Sequence, residues 1–120
     1  MIHIPVSIGE LFDKISILEI KVNQSIDAAQ DELDLLNKEK PEHVPIYVQG
    51  LYKALYAINL QLWDIEDRKR EMEQQQDFKL EFIEYARAVY ILNDERARLK
   101  GLINKFMGSP IREHKSHREY

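Results

Sequence analysis

The sequence predicts an all-α fold, an antiparallel helical bundle built on a long two-helix hairpin. Apolar residues recur at alternating steps of three and four over long segments, which is the period of one face of a helix. The chain has only four glycines and four prolines in 120 residues, and the prolines fall between those segments. A β fold with many turns would need more of both residues. With 44% hydrophobic and 32% charged residues, the chain is too apolar to be disordered.

The first predicted element is a broken helix, over about 8–24 and 27–39, which docks on one flank of the hairpin. It begins at a capping box, in which the Ser7 hydroxyl accepts from a backbone amide one turn on and Glu10 reaches back. The apolar stripe then shifts by one residue near Ser25, and such a shift indicates a break in the helix.

Two longer apolar stripes predict the hairpin helices, over about 45–74 and 78–107. Pro45 suits the first turn of the first helix, and Asp77 is the best N-cap for the second. Gly108 is a natural residue to end the second helix, because glycine adopts the left-handed conformation at low cost.

An antiparallel hairpin with its turn centred near Asp77 predicts the register, and in that register only the short turn QQQD is needed to connect the two helices. In that register the two apolar stripes meet layer by layer. The predicted pairs include Leu62–Leu92, Ile58–Arg96 and Val48–Phe106.

Lys69 and Arg96 are the charged residues on these two stripes. We interpret each as a side chain whose stem packs in the interface while its head reaches water or a carboxylate. Lys69 has Glu66 and Glu73 at helical spacing, so a surface ion pair would satisfy it. Arg96 has no carboxylate at ideal spacing on its own helix and is the less well explained of the two.

The flank on which the N-terminal helix docks supplies the candidate site. It is aromatic, with small alanine gaps, and it carries polar side chains that need hydrogen-bond partners if they are covered. The candidate polar pocket consists of Asn59, Trp63, Glu66, Tyr90, Asn93 and, from the N-terminal helix, Glu19. It is either a ligand pocket or a buried network that fixes the register of the helices, and the second interpretation is favoured.

Carboxylate pairs three residues apart are a second candidate, because all-helical nucleotide pyrophosphohydrolases hold magnesium with such pairs. In the predicted register the pairs on the hairpin lie on outer positions and do not converge. We therefore interpret the carboxylates as solvated surface. The pairs are Glu10/Asp13, Asp64/Asp67 and Glu81/Glu84.

Other signals of chemistry are weak or missing. The chain is expected to form one domain, residues 1–120, with residues 108–120 as a tail. His114 and His117 in that tail lack a third metal ligand at suitable spacing. The chain has no cysteine and no common phosphate-binding or hydrolase motif. The sequence predicts no metal site and no cofactor, leaves the catalytic residues unknown, and favours a protein that is not an enzyme.

The charge and hydropathy of the chain limit which kinds of partner it is expected to bind. The formal net charge is −4, and no basic run suggests nucleic-acid binding. No apolar run approaches the ~18 residues of a membrane-spanning helix, and the start of the chain lacks a signal-peptide pattern. Together with the missing cysteines, these features favour the cytosol.

Apolar surface beyond what three helical elements need predicts a homo-oligomer, a dimer or larger. Ile17 and Ile20 fall off the main stripe of the N-terminal helix, and surplus apolar residues along one helix commonly mark a subunit contact. A different protein partner stays open as an alternative.

Three blocks of the sequence resemble a family of short all-helical bacterial and phage proteins known as a domain of unknown function: IPVSIGELFDKISILEIK, LWDIEDRKRE and FIEYARAVYILNDERARLKGLIN. The resemblance extends over nearly the whole chain and implies a stand-alone helical protein. It also implies a link to genes for surface-polysaccharide or glycan biosynthesis, among which members are sometimes found. No catalytic residue is defined for the family, so none is carried over.

The expected function is that of a homo-oligomeric binding or scaffolding module. The alternative is a small enzyme or ligand-binding protein that uses the polar and aromatic flank between the helices.

Overall fold

The structure, a computed structural model, describes residues 1–112. Over that range it is all-α, and it confirms the predicted hairpin and the broken N-terminal helix. The helices are α1 (Ile8–Asn23), α2 (Ala29–Lys38), α3 (Ile46–Gln74) and α4 (Leu80–Met107). α3 and α4 form the hairpin, and α1 packs against both of them and against α2.

The start of α1 and the break after it follow the sequence prediction. Ser7 Oγ accepts a hydrogen bond from the Glu10 amide at 3.0 Å. α1 ends two residues before Ser25, whose φ of 63° turns the chain out of the helix. α2 then packs against α1.

One hydrogen-bond pattern ends α1, α3 and α4. At each end a residue with positive φ lets the following amide reach a carbonyl five residues back, an arrangement known as the Schellman motif. The positive-φ residues are Ser25, Gln76 and Gly108, with φ of 63°, 55° and 65°. The amide-to-carbonyl distances are 3.0 Å for Ile26–Lys21, 2.9 Å for Asp77–Met72 and 2.9 Å for Ser109–Asn104. The predicted role of Gly108 is thereby confirmed.

The predicted N-cap of the second hairpin helix is wrong by two residues. α4 begins at Leu80 with Lys79 at the cap position, and no side chain caps it. Asp77 instead accepts from the Lys79 amide within the turn, at 3.3 Å. The reason is the left-handed conformation of Gln76, after which the chain needs further residues to reverse direction.

The hairpin register agrees with the prediction at both ends. Asp77 lies midway between the end of α3 and the start of α4. At the open end, the rings of Tyr47 and Phe106 pack edge to face with their centroids 5.3 Å apart. This contact is one residue away from the predicted pairing of Val48 with Phe106. The inner pairing of Leu62 with Leu92 stays a prediction.

The main hydrophobic core lies at the open end of the hairpin, where α1 packs against α3 and α4 and α2 packs against α1. Its buried members are Leu11, Phe12, Ile15, Leu18, Ala29, Leu33, Val48, Leu55, Leu99 and Ile103. Among the described residues, none between 59 and 98 joins this cluster or packs on it. We call residues 59–98 the distal half of the hairpin. None of the four helices in the described part of the chain is both long and apolar enough to cross a membrane.

The interpretation of Ile20 as surplus surface is wrong. Its side chain is 1% exposed, because it packs inside the chain. Ile17 is partly exposed. Ile20 is therefore not accessible to a second subunit, and only Ile17 of the two predicted contact residues is partly exposed. Oligomerisation itself stays a prediction.

Candidate functional site

A buried ion pair joins α1 to α4. The Asp13 carboxylate is 1% exposed. Arg96 Nε donates to Asp13 Oδ1 at 2.8 Å, and Arg96 Nη2 donates to Asp13 Oδ2 at 2.5 Å. This bidentate geometry is the strongest that an arginine and a carboxylate adopt. The head of Arg96 therefore reaches a carboxylate, as predicted, but one that comes from another helix.

Asn59 of α3 completes the contact. Its Nδ2 donates to Asp13 Oδ1 at 2.9 Å and to Ser16 Oγ at 2.7 Å. The Ser16 hydroxyl donates in turn to the Asp13 carbonyl at 2.7 Å. Three helices thus meet at one carboxylate, and the polar groups that this buries are bonded to one another. For Asn59, the structure favours the buried-network interpretation.

The surroundings of Asp13 decide its charge. Burial on its own raises the pKa of the carboxyl group. The hydrogen bonds from Arg96 and Asn59 and the positive charges of Arg96 and Lys100 outweigh burial and hold the pKa below its ordinary value of 3.8. The hydrogen bond to Asp13 likewise raises the pKa of Arg96. Both groups are therefore charged near neutral pH.

The first turn of α1 lies unusually close to α4. The Gly9 amide donates to Asn104 Oδ1 at 2.6 Å. A Cβ atom at Gly9 would lie 2.5 Å from the Lys100 carbonyl oxygen, a distance that real Cβ atoms do not reach. On the neighbouring turn, Lys100 Nζ donates to Glu10 Oε2 at 2.5 Å. Glycine at position 9 is what allows α1 to approach α4 this closely.

A groove of about 340 Å³ opens beside the ion pair, between α1, α3 and α4. Its lining combines an apolar set with a charged set. The apolar residues are Ile17, Ile20, Leu62 and Trp63, and the polar and charged residues are Asn59, Glu66, Asp67, Arg70 and Arg96. The arrangement suits a ligand with an apolar body and a charged group.

The structure brings together part of the predicted pocket. Asn59, Trp63 and Glu66 line the groove. Asn93 lies next to it, because its Oδ1 accepts from Arg96 Nη1 at 3.3 Å. Tyr90 is 43% exposed and is not part of the groove lining.

Glu19 also lies apart from the groove. Its carboxylate faces Tyr52, where it joins burial in raising the pKa of that hydroxyl above its ordinary value of 10.0. Phe12 packs edge-on against the same ring, with centroids 6.0 Å apart. Tyr52 of α3 thus packs against the hydrophobic core and not against the groove.

The interpretation of the carboxylate pairs as solvated surface is right for the hairpin and wrong for Asp13. Asp64, Asp67, Glu81 and Glu84 are exposed. Asp13 is buried because the face of α1 that carries it packs against Asn59 and Arg96. The sequence of α1 alone does not show that this face is covered.

The described residues offer no candidate metal site. Within residues 1–112, no cluster of three or more histidine, aspartate or glutamate side chains could hold a metal ion. His114 and His117 lie outside the described residues.

Sequence reasoning missed Asp13, Ser16 and Arg70 as members of this region. One signal could have found Asp13. Arg96 needed a carboxylate from another helix, and a helix docked on this flank offers few acidic residues. No comparable signal exists for Arg70, which reaches the groove only through the packing of α1 on α3.

The outer face of α4 in the distal half is the other notable surface. Four apolar side chains there are exposed: Leu80 at 68%, Ile83 at 50%, Tyr90 at 43% and Ile91 at 45%. At 3.6 residues per turn they fall within an arc of about 100°. Together they form an apolar strip of two pairs, Leu80 with Ile83 and Tyr90 with Ile91, with the exposed side chains of Glu84 and Arg87 between the pairs.

These features define a class of small all-α protein, in which an N-terminal helix is fastened to a helical hairpin by a buried ion pair. Residues 2–119 match DUF6165, a family of unknown function, and the chain belongs to that family. The expected membership of a family of unknown function that spans nearly the whole chain is thereby confirmed. No curated protein and no solved structure matches the chain.

Proposed function

We propose that this protein is a homo-oligomeric binding or scaffolding module of the cytosol, whose contact surface is the distal half of the hairpin. The observation that carries the proposal is the strip of four exposed apolar side chains on α4. Several exposed apolar side chains on one face of a helix commonly mark a protein–protein contact. The bacterial or phage origin and the link to glycan genes remain expectations from the resemblance.

The distribution of the core supports this proposal. α1 covers the open end of the hairpin and α2 packs on α1, and Val48, Leu55 and Ile103 of the hairpin are completely buried there. α1 reaches the distal half at Asn59 and Arg96, but no residue of the distal half belongs to the core cluster. A two-helix unit buries its apolar surface poorly on its own, so a partner helix would stabilise it.

The polar network supports a binding role over a catalytic one. Asp13, Arg96 and Asn59 bond to one another and join three helices. Such mutual bonding fixes the packing of the helices.

Measuring mass against concentration tests the proposal. We expect sedimentation equilibrium to show at least a dimer between about 10 and 300 µM, the affinity range of modest interfaces. Ile83→Asp should weaken association, because it places a charge within the apolar strip.

Ile46→Asp is the matched control. Ile46 is more exposed, at 83%, but lies at the opposite end of the hairpin, so this change should leave association unaltered. A monomer throughout the range, or equal weakening by both variants, would contradict the proposal.

The groove favours a second candidate, a ligand-binding protein. Trp63 lines the groove and is the only tryptophan in the chain, so its fluorescence reports directly on binding there. Arg70 lines the groove as well and has no hydrogen-bond or ion-pair partner within residues 1–112. Trp63 and Arg70 together suit an aromatic anion whose charge contacts Arg70 and avoids the Glu66 and Asp67 carboxylates of the same lining.

Titration of Trp63 fluorescence with phenyl phosphate tests this candidate, with benzyl alcohol and inorganic phosphate as partial mimics. Binding should require both the ring and the charge, and Arg70→Gln should weaken it. Lys53→Gln, an exposed change away from the groove, is the control. Equal responses to phenyl phosphate and benzyl alcohol would rule out recognition of the anion.

A further inference from the structure

The surface pattern of α4 specifies how two copies would pair. Leu80, Glu84, Arg87 and Ile91 follow one another at steps of four, three and four, and we call them the outer stripe. All four are exposed. At 3.6 residues per turn they fall within an arc of about 60°, so a single helix packed against α4 would contact all of them.

The outer stripe has a symmetric order: apolar, acidic, basic, apolar. Glu84 and Arg87 have no hydrogen-bond or ion-pair partner among the residues that the structure describes. Both charges are therefore available to a second molecule.

We propose that a second copy of this chain binds here, with the two α4 helices antiparallel about a two-fold axis between positions 85 and 86. In this arrangement Leu80 faces Ile91 of the second copy, and Glu84 faces Arg87 of the second copy. The two-fold axis repeats each contact. The inference rests on the proposed function and deepens it by assigning the partner and the geometry.

The same register engages the rest of the apolar strip. Ile83 and Tyr90 lie seven residues apart and therefore share one side of the stripe. In the antiparallel pair, Ile83 lies on the same side as Tyr90 of the second copy, offset by two residues or ~3 Å along the axis. All four exposed apolar residues of the strip are thus covered by one contact.

The charges select the antiparallel orientation. A parallel pair in register would set Glu84 against Glu84 and Arg87 against Arg87, and like charges in contact are unfavourable. The antiparallel pair replaces both repulsions with attractions. The contact spans only about three turns of each helix, so the dimer is small and reversible.

Charge reversal provides the test. Glu84→Arg gives a homodimer with two arginine pairs, and Arg87→Glu gives one with two glutamate pairs. We expect each variant alone to dissociate at least ~10-fold more readily than the unaltered chain. Mixing the two variants should restore association, because every charged contact in the mixed dimer is then attractive. The double variant, E84R with R87E, should associate like the unaltered chain.

Lys53→Glu is the matched control, since it reverses an exposed charge on α3 at the open end of the hairpin. It should leave association unchanged. Circular dichroism of each variant separates loss of association from loss of folding.

Cross-linking gives an independent measurement, because the chain has no cysteine of its own. Leu80→Cys and Ile91→Cys variants, mixed and oxidised by air with a copper–phenanthroline catalyst, should form mainly the mixed disulfide. Mainly symmetric disulfides would overturn the antiparallel geometry.

The outcomes separate this inference from the proposed function. If the chain forms an oligomer whose affinity neither charge reversal changes, the outer stripe is not the interface. The proposal of an oligomeric module would still hold. A chain that stays monomeric at every concentration would overturn both. Restored association in the mixture, with the mixed disulfide, supports both.

Discussion

The charged carboxylate of Asp13 is buried away from water. The two hydrogen bonds and the positive charge of Arg96 are what stabilise that charge. A buried charge that loses its partner is costly, because it keeps its desolvation cost without the compensating attraction. Replacing Asp13 by asparagine would remove the negative charge and one of the two acceptor oxygens to which Arg96 and Asn59 donate. This single carboxylate therefore couples α1, α3 and α4.

We expect Asp13→Asn to lower the free energy of unfolding by about 3 kcal/mol. Asp64→Asn, on an exposed carboxylate, should change it by less than about 0.5 kcal/mol. Urea unfolding measures both. Because the two side chains interact, Asp13→Asn combined with Arg96→Gln should cost less than the sum of the single changes. Additive costs would argue against the pair.

The lowered pKa of Asp13 gives a pH dependence with a defined sign. A carboxyl group whose pKa is lower in the folded than in the unfolded state binds fewer protons when folded. Its stabilising contribution is fully present above its ordinary pKa of 3.8 and is lost as the pH falls through the folded value. The stability difference between the unaltered chain and Asp13→Asn should therefore be constant near neutral pH and shrink below about pH 4. Urea titrations at several pH values measure it, and a difference that shrinks between pH 7 and pH 5 would contradict the assignment.

Gly9 is the other residue on which the position of α1 depends. An added Cβ would overlap the backbone carbonyl of Lys100, which cannot swing away as a side chain could. We expect Gly9→Ala to destabilise the protein by about 1–3 kcal/mol. Gly101→Ala is the matched control, because nothing lies near its added Cβ. That change should stabilise α4 by about 0.5–1 kcal/mol, and thermal unfolding would show the opposite signs.

At the scale of the elements, the ends of the helices matter as much as their apolar faces. The same Schellman geometry ends α1, α3 and α4, but only α4 has glycine at the left-handed position. Ser25 and Gln76 adopt that conformation with a Cβ, which costs of order 1 kcal/mol each. The direction of the chain after α1 and α3 is thus held against a local conformational preference.

We expect Gln76→Gly to stabilise the protein by about 0.5–1 kcal/mol, since glycine removes the steric cost of positive φ. Gln75→Gly is the control one residue earlier, where φ is −86°. It should destabilise by a similar amount, because glycine there adds only flexibility to the unfolded chain. Chemical unfolding of both variants measures the two changes in stability. A loss of stability in Gln76→Gly would show that the positive φ of Gln76 carries no steric cost.

At the scale of the whole molecule, stability is unevenly distributed along the hairpin. The open end carries the core, and the distal half lies outside it. Regions with few buried apolar contacts open locally at lower free energy than the global unfolding reaction.

We expect native-state hydrogen exchange to show weaker protection for amides of residues 80–92 than for residues 11–18 of α1. Protection of residues 80–92 should rise with protein concentration if a second copy covers the outer stripe. Residues 11–18 serve as the internal control, because most of their side chains are buried within one chain. Equal protection at low concentration would contradict an unevenly stabilised hairpin.

The sequence by itself determined the helices, the break near Ser25, the end at Gly108 and the cap at Ser7. These features depend on the order of neighbouring residues, since helical periodicity and capping act over a few positions. The aromatic flank with its alanine gaps also predicted where α1 would pack, and α1 does bond to Asn59 of that flank. The left-handed conformation of Gln76 escaped prediction, because nothing in the residue type demands it.

Only the tertiary structure decided which charges are buried and which surface is left open. Asp13 and Arg96 are 83 positions apart in the chain, and no local pattern relates them. The burial of Ile20 and the exposure of the strip on α4 depend on how far α1 reaches along the hairpin. That reach is a property of packing in three dimensions, fixed by the close approach at Gly9 and the ion pair at Asp13, and not of periodicity along the sequence.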